Sequence, residues 1–345
     1  MVGRLKSARR IPHSARRILP WIAAAALLVL LLRYVPLAAV WATLQRLTPG
    51  SLVVLAALNG LVLLALNGRW WLILRAQGHP VPFFKLLGYR LAAFGVTYFT
   101  PGPQFGGEPV QVLLVERRHA VPRPTAVAAV ALDKSLELLV NFLFLAVGVG
   151  VILQQRLFGA MVGGETAVLA ILLFAFPFLF LAATWAGWYP VTRGARLLSR
   201  LPLWPGRARW QPRWERLLDG LQASEAQATH FCQARPAALA AALFVSLLGW
   251  LLLIAEYSLM LRFLGLELTA VQTIALLTAA RIAFLLPLPG GLGTLEASQA
   301  LTLTLLGLDP AAGLSASLLI RARDVSLASF GLWLTAHKQR LTANR

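Results

Sequence analysis

The chain has 345 residues, 58% of them hydrophobic and 13% charged, with a formal net charge of +19. That apolar share excludes an ordinary soluble domain and makes lipid the solvent in which the sequence is to be read. Six acids (Glu108, Asp133, Glu137, Glu256, Glu296, Asp324) and six bases (Arg69, Arg90, Lys134, Arg281, Arg321, Arg323) stand in apolar surroundings and cancel, so the positive excess lies in tails and loops. Such a distribution is the positive-inside pattern of a membrane protein and excludes a nucleic-acid face.

Residues 1–17 form a basic tail, expected in the cytoplasm, and the apolar run 18–40 then crosses outward. Leu30-Leu31-Leu32-Arg33-Tyr34 stands where a signal peptide would carry small residues for cleavage, so the run reads as an uncleaved anchor. Residues 51–74 return. If 83–100 crossed fully, Arg117-Arg118-His119 would lie outside, against the charge rule. Turning at Pro101-Gly102 and coming back as 105–116 keeps them inside, which makes this segment a re-entrant helical hairpin. Residues 124–153 run outward and 166–189 return to a basic cytoplasmic loop, 190–236. That loop is Pro- and Arg-rich to Pro212, after which Trp214, Leu217, Leu218, Leu221 and Phe231 recur at helical spacing. Two readings stand for it: an interfacial helix on anionic lipid, or a packed linker helix. Residues 237–261 run outward, a second hairpin at 269–307 enters from outside, and 311–334 bring the cytoplasmic tail 337–345 back in. The reading is a single membrane domain over 18–336, in the plasma membrane, with both termini cytoplasmic.

An internal repeat supports this course. Pro101, Gly102, Glu108 and Gln111 recur as Pro289, Gly290, Glu296 and Gln299, all at an offset of 188 residues. The same offset carries Asp133 onto Arg321 and lays the apolar stretches of residues 51–153 onto those of 239–336. The expected fold is therefore all-α and polytopic, an inverted-topology repeat of about six full transmembrane helices plus two opposed re-entrant hairpins, the architecture of many transporters. Gly106 and Gly107 at one tip, Gly291 and Gly293 at the other, free the turn geometry and allow backbone to approach a ligand. Broken helices at that depth are tolerated only in protein or beside a watery cavity.

Each charge at the bilayer centre costs roughly 2.5–3.5 kcal/mol on insertion scales, so the twelve named above need partners or water. Arg33, Arg75 and Arg262 lie at helix ends and can snorkel. Asp133 and Glu137 are one turn apart beside Lys134, and Arg321 and Asp324 are similarly spaced on the matching helix. The repeat suggests an Asp133–Arg321 pair across the pseudo-twofold axis. Glu108 and Glu296 each begin the second arm of a hairpin, where a carboxylate either caps the helix or faces the cavity to bind a cation, a proton or an ammonium group. Arg90 and Arg281, on the first arms, are the candidates for a phosphate, because a guanidinium offers it a planar fork of donors. Asn67 and Arg69 are secondary candidates for the same cavity. No nucleotide-binding loop, HExxH or GxSxG is found, every histidine lies in a loop or tail, and the single Cys232 gives neither a disulfide framework nor a metal cluster. No cofactor and no metal are expected.

Tyr98-Phe99-Thr100-Pro101-Gly102 leading to Gly106-Gly107-Glu108, then Ala131-Leu132-Asp133-Lys134 with Glu137, then Pro287-Leu288-Pro289-Gly290-Gly291-Leu292-Gly293 with Glu296, and finally Arg321, resemble the flippase-like membrane family that includes the membrane domain of lysylphosphatidylglycerol synthase. The likeness runs from about residue 15 to 338. It departs at Gln111, where many relatives have a basic residue, and the sequence carries no soluble aminoacyl-transferase domain, which removes synthase activity from what is implied. What the resemblance implies is translocation of a polar-headed lipid between leaflets, and the arginines make a phosphate-containing lipid the expected partner. The rival reading is a membrane-embedded transferase or transferase subunit acting on a lipid phosphate, with Glu108 or Asp133 as general base. A small-solute transporter on the same scaffold is a third.

Overall fold

Pro49 and Pro236 open two helices of 28 residues each, at the one helical position where a missing N–H is harmless. The computed structural model describes residues 37–100, 106–154, 164–200, 207–286 and 288–343. Most of the expected first span, together with Pro101 and Gly102, lies outside the described residues; Leu37–Leu44 forms helix α1. The following helices are α2 (Pro49–Ala76), α3 (Phe83–Phe99), α4 (Glu108–His119), α5 (Arg123–Gln154), α6 (Gly164–Trp185), α7 (Pro190–Arg200) and α8 (Arg207–Ala234). Then come α9 (Pro236–Phe263), α10 (Ala270–Leu285), a 3-10 turn (Pro289–Gly291), α11 (Thr294–Leu305) and α12 (Pro310–Ala343). Among the described residues all regular structure is helical, and α2, α5 and α9 are long and apolar enough to cross a membrane.

Local chemistry sets the boundaries. Thr48 and Ser51 cap α2 reciprocally, at 3.2 Å from the Ser51 N–H to Thr48 Oγ1 and 2.9 Å from the Thr48 N–H to Ser51 Oγ; Thr269 and Gln272 do the same for α10. Helices α3 and α4, with 17 and 12 residues, and α10 and α11, with 16 and 12, form two matched pairs. At 12 residues α4 and α11 are about 18 Å long, short of the ~30 Å of a hydrocarbon core.

The offset of 188 seen in the sequence reappears in the helices. Shifted by it, the bounds of α2, α3, α4 and α5 fall within two residues of those of α9, α10, α11 and α12. The packing is reciprocal as well: α2 lies along α9, α3 along α12 and α10 along α5. In lipid, close contact between helices has to come from shape rather than from exclusion of water, so small residues carry it. A Cβ on Gly331 would stand 2.1 Å from the Leu91 carbonyl oxygen, and one on Gly148 would stand 2.0 Å from Thr278 Oγ1. Two cores result. One gathers Trp70, Leu74, Leu86, Leu114, Leu136 and Phe231; the other gathers Tyr257, Leu261, Leu276, Leu295 and Leu303.

The segment 190–236 resolves into α7 and α8, so helix begins at Arg207, ahead of the apolar spacing that starts at Trp214. The second half of α8 is packed: Ala228, Phe231 and Cys232 are buried in the first core, and Glu225 accepts hydrogen bonds from the N–H groups of Val191 and Thr192 at the start of α7, at 2.7 and 2.9 Å. Burial pushes the Cys232 thiol up to about 11, which leaves it inert as a nucleophile. Helix α7 instead leaves Leu197 and Leu198 exposed.

Candidate functional site

A cavity of about 330 Å³ opens between α2, α3, α4, α5, α9, α10 and α12. Its charged lining is Arg90, Glu108, Asp133, Lys134, Glu137, Glu256, Arg281, Arg323 and Asp324, with Gln111, Asn59, Thr97, Tyr98 and Tyr257 among the polar residues. Gly107, Gly290 and Gly291 bring the two interhelical turns to its wall.

The carboxylates of α5 organise one side. Asp133 accepts from Arg69 Nε at 2.6 Å and from Arg90 Nη2 at 2.7 Å, while Glu137 accepts from Lys134 Nζ at 2.9 Å and from Arg69 Nη2 at 3.4 Å. Arg69, 1% exposed, also donates to Ser246 Oγ at 3.3 Å and so ties α2 to α5 and α9. It lies behind the carboxylates rather than on the cavity wall, and Asn67, whose amide donates to the Phe83 carbonyl at 3.0 Å, is likewise off it.

The second turn is held differently. Arg321 donates to both oxygens of Glu296, to the carbonyls of Gly290 and Gly291 at 3.0 and 2.8 Å, and to Tyr98 Oη at 3.4 Å. Glu296 also accepts from the Gly293 N–H at 2.9 Å and is 2% exposed. Gly290, Gly291 and Gly293 have φ of 54°, 65° and 78°, the left-handed region that side chains resist, which is why glycine recurs in this turn. The expected Asp133–Arg321 pair is not formed: each has its own partners on its own side, because a carboxylate with two guanidiniums and a guanidinium with a carboxylate and two carbonyls are already satisfied.

Of the residues singled out in the sequence, Arg90, Gly107, Glu108, Gln111, Asp133, Lys134, Glu137, Arg281, Gly290, Gly291 and Asp324 meet at the cavity. Glu296, Arg321, Gly293 and Gln299 do not line it; Gln299 is fully buried, accepting from Tyr257 and donating to the Leu276 carbonyl at 3.1 Å. Gly106 lends its N–H to Glu108 at 2.8 Å, and Pro289 begins the 3-10 turn. Glu256 and Arg323, counted in the sequence among the twelve charges in apolar surroundings but not among the site candidates, line it too. Arg323 donates to Glu256 at 2.7 Å and to Asp324 at 2.9 Å, and Asn59 donates to Glu256 at 3.3 Å. The repeat could not point to them, since the offset places Gly68 opposite Glu256 and Ser135 opposite Arg323. Their charge inside apolar helices was the available signal.

Every cation in this part of the molecule but one has a carboxylate. Among the described residues Arg281 makes no ion pair; its guanidinium lies 4.8 Å from the centre of the Trp250 ring, itself stacked on Phe144 at 4.7 Å. The aromatic face steadies the cation and leaves its N–H groups open to the cavity. Among the described residues no cluster of His, Cys, Asp and Glu is arranged for a metal ion.

No curated protein and no solved structure matches the chain. Residues 18–330 match the profile of the lysylphosphatidylglycerol synthase TM region, and the chain belongs to that membrane family.

Proposed function

We propose that the chain moves a phosphate-bearing lipid between bilayer leaflets. The two matched helix pairs enter the membrane from opposite faces as re-entrant hairpins of an inverted repeat, and the charged cavity between them shelters the head group near the midplane. The basic N-terminus, the 190–236 segment and the C-terminus face the cytoplasm of a plasma membrane, with the exposed Leu197 and Leu198 of α7 lying against its anionic surface. The reciprocal packing of α3 on α12 and α10 on α5 supports the two-fold arrangement.

The observation that carries this reading is Arg281. A guanidinium with no carboxylate in direct ion-pair contact inside a bilayer is expensive unless water or an anionic ligand satisfies it. Its planar fork suits phosphate oxygens, and the neighbouring charges are already engaged. Translocation, rather than transfer chemistry, fits an Asp133 held by two guanidiniums, since a general base would need a freer carboxylate; Glu108, tethered by the Gly106 N–H and 3.6 Å from Lys134, is held more loosely.

The test is liposomes carrying the purified protein and a tail-labelled phosphatidylglycerol, with exposure on the outer leaflet read by an impermeant reductant. The wild type is expected to equilibrate the label without changing the lipid's mass. Arg281→Gln should slow the exchange by about tenfold or more, the worth of a charge-assisted hydrogen bond, and Arg281→Lys should restore part of it. A product of altered mass would establish transferase chemistry instead.

A further inference from the structure

A second hollow, of about 790 Å³, runs along the outside of α4, α5 and α6. Its walls are helical stripes: Val112 and Leu113 on α4, Val127, Ala131 and Leu138 on α5, and Phe176 on α6. The stripes are apolar and open sideways, with Ala131 exposed and Phe176 66% exposed. Charge appears only at the two ends, where Glu116 and Arg123 stand at one and Glu108 and Lys134 at the other. Along α4 the ends are about 12 Å apart and along α5 about 16 Å, close to the ~15 Å of hydrocarbon in one leaflet.

Glu108, Val130 and Lys134 line both this groove and the charged cavity. Between the two spaces stands one contact that is loose by the standards of the site. Lys134 holds Glu137 at 2.9 Å but stands 3.6 Å from Glu108, beyond hydrogen-bond distance. Glu108 is tethered otherwise by the Gly106 N–H at 2.8 Å, so parting the two side chains stretches a long ion pair and breaks no hydrogen bond between them.

Resting on the translocation reading above, we infer that the groove holds one acyl chain of the lipid whose head occupies the cavity, and that Glu108 and Lys134 are the door through which head and chain stay connected. The chemistry assigns the occupant: a lining that is apolar over one leaflet's depth, open to lipid, and joined to a polar cavity at the Glu108 and Lys134 end takes an amphiphile with its polar part at that end. Ala131 midway along the α5 stripe keeps the slot wide enough for a chain.

Two measurements test this. Ala131→Trp fills the slot from a lipid-facing position outside the core, so it should slow translocation of tail-labelled phosphatidylglycerol at least tenfold with an unchanged melting temperature in detergent, while Ala241→Trp, at an exposed position of α9 away from both hollows, should match the wild type. In wild-type protein, a phosphatidylglycerol with a photoreactive acyl chain should label the peptides around Leu113 and Ala131 well above those around Phe244 and Leu251, which face outward on α9. Wild-type translocation by Ala131→Trp overturns the inference while leaving the translocation reading standing. Should that variant fail to fold, uniform labelling of all outward-facing helices overturns it equally. Specific labelling of the groove in a protein that moves no lipid would keep the chain-binding slot and remove the translocation reading.

Discussion

The two helix pairs hold glutamates at equivalent places in the repeat, yet they use them oppositely. Glu296 is 2% exposed, caps its own helix through Gly293 and is gripped by Arg321; Glu108 caps Gly106, but its side chain is 26% exposed and stands where cavity and groove meet. On the long helices the charges are exchanged: α5 contributes the acid Asp133, which gathers two arginines, whereas α12 contributes the base Arg321, which gathers an acid and two carbonyls. Helices that recur at one offset thus hold one turn as a fixed clasp and leave a loose contact beside the other. Where the positions match, chemistry need not.

The largest effect expected is at Asp133. Its replacement by Ala leaves Arg69 and Arg90 short of their principal counter-ion, Arg69 with only the partly exposed Glu137. Breaking a buried pair in this way costs about 3–5 kcal/mol, read as a drop in detergent melting temperature. The combination with Arg321→Ala sharpens the comparison: the losses should add within about 0.5 kcal/mol, because the two residues belong to separate clusters. A coupling well above that would show that the halves share one network.

Next is Glu296→Gln, which keeps a side-chain oxygen for the Gly293 N–H but leaves the Arg321 guanidinium without its carboxylate. About 3 kcal/mol of stability should go with it. Glu108→Gln, by contrast, should move stability by no more than about 1 kcal/mol, since the cap survives and the Lys134 contact is long. Its consequence is expected in transport, where loss of the charge at the door lowers the rate with the melting curve unchanged. If Glu108→Gln destabilised as much as Glu296→Gln, the asymmetry would be gone.

Much of this was legible in the sequence. The 188-residue offset anticipated four helix pairs to within two residues, and Pro289-Gly290 marked the turn between α10 and α11. Eleven of the expected residues do meet at the cavity. Pairing was not legible. An offset matches positions within two halves, but it does not say that Asp133 will face Arg90 from the neighbouring α3 rather than its own counterpart Arg321. For the same reason the charge of the unrepeated Glu256 and Arg323 was legible but their place on the cavity wall was not. Which cation would be left over depends on where every carboxylate points, so only three dimensions separate Arg281 from the equally expected Arg90, which Asp133 holds.

The smallest expected effect concerns the outer end of the first helix pair, and it probes whether that pair is as rigid there as at its turn. His119 closes α4, its Nε2 3.1 Å from Tyr89 Oη on α3. Burial, reinforced by the positive charges of Lys85 and Arg118, holds its pKa below the ordinary 6.5. The folded protein therefore binds a proton here less readily than the unfolded chain, which takes one up as the pH falls past about 6.5. Stability contributed by the neutral imidazole is complete above that pH and is lost as the pH falls through the lower folded value. Melting temperatures of the detergent-solubilised wild type should decline over that acidic window, and His119→Gln should remove this part of the decline while leaving the curve at higher pH nearly flat in both. The partial exposure of the ring keeps the difference small. An identical acid slope in the two proteins would show that the α3–α4 junction is open enough for the imidazole to titrate as it does in water, and would extend the looseness seen at Glu108 along the whole of α4.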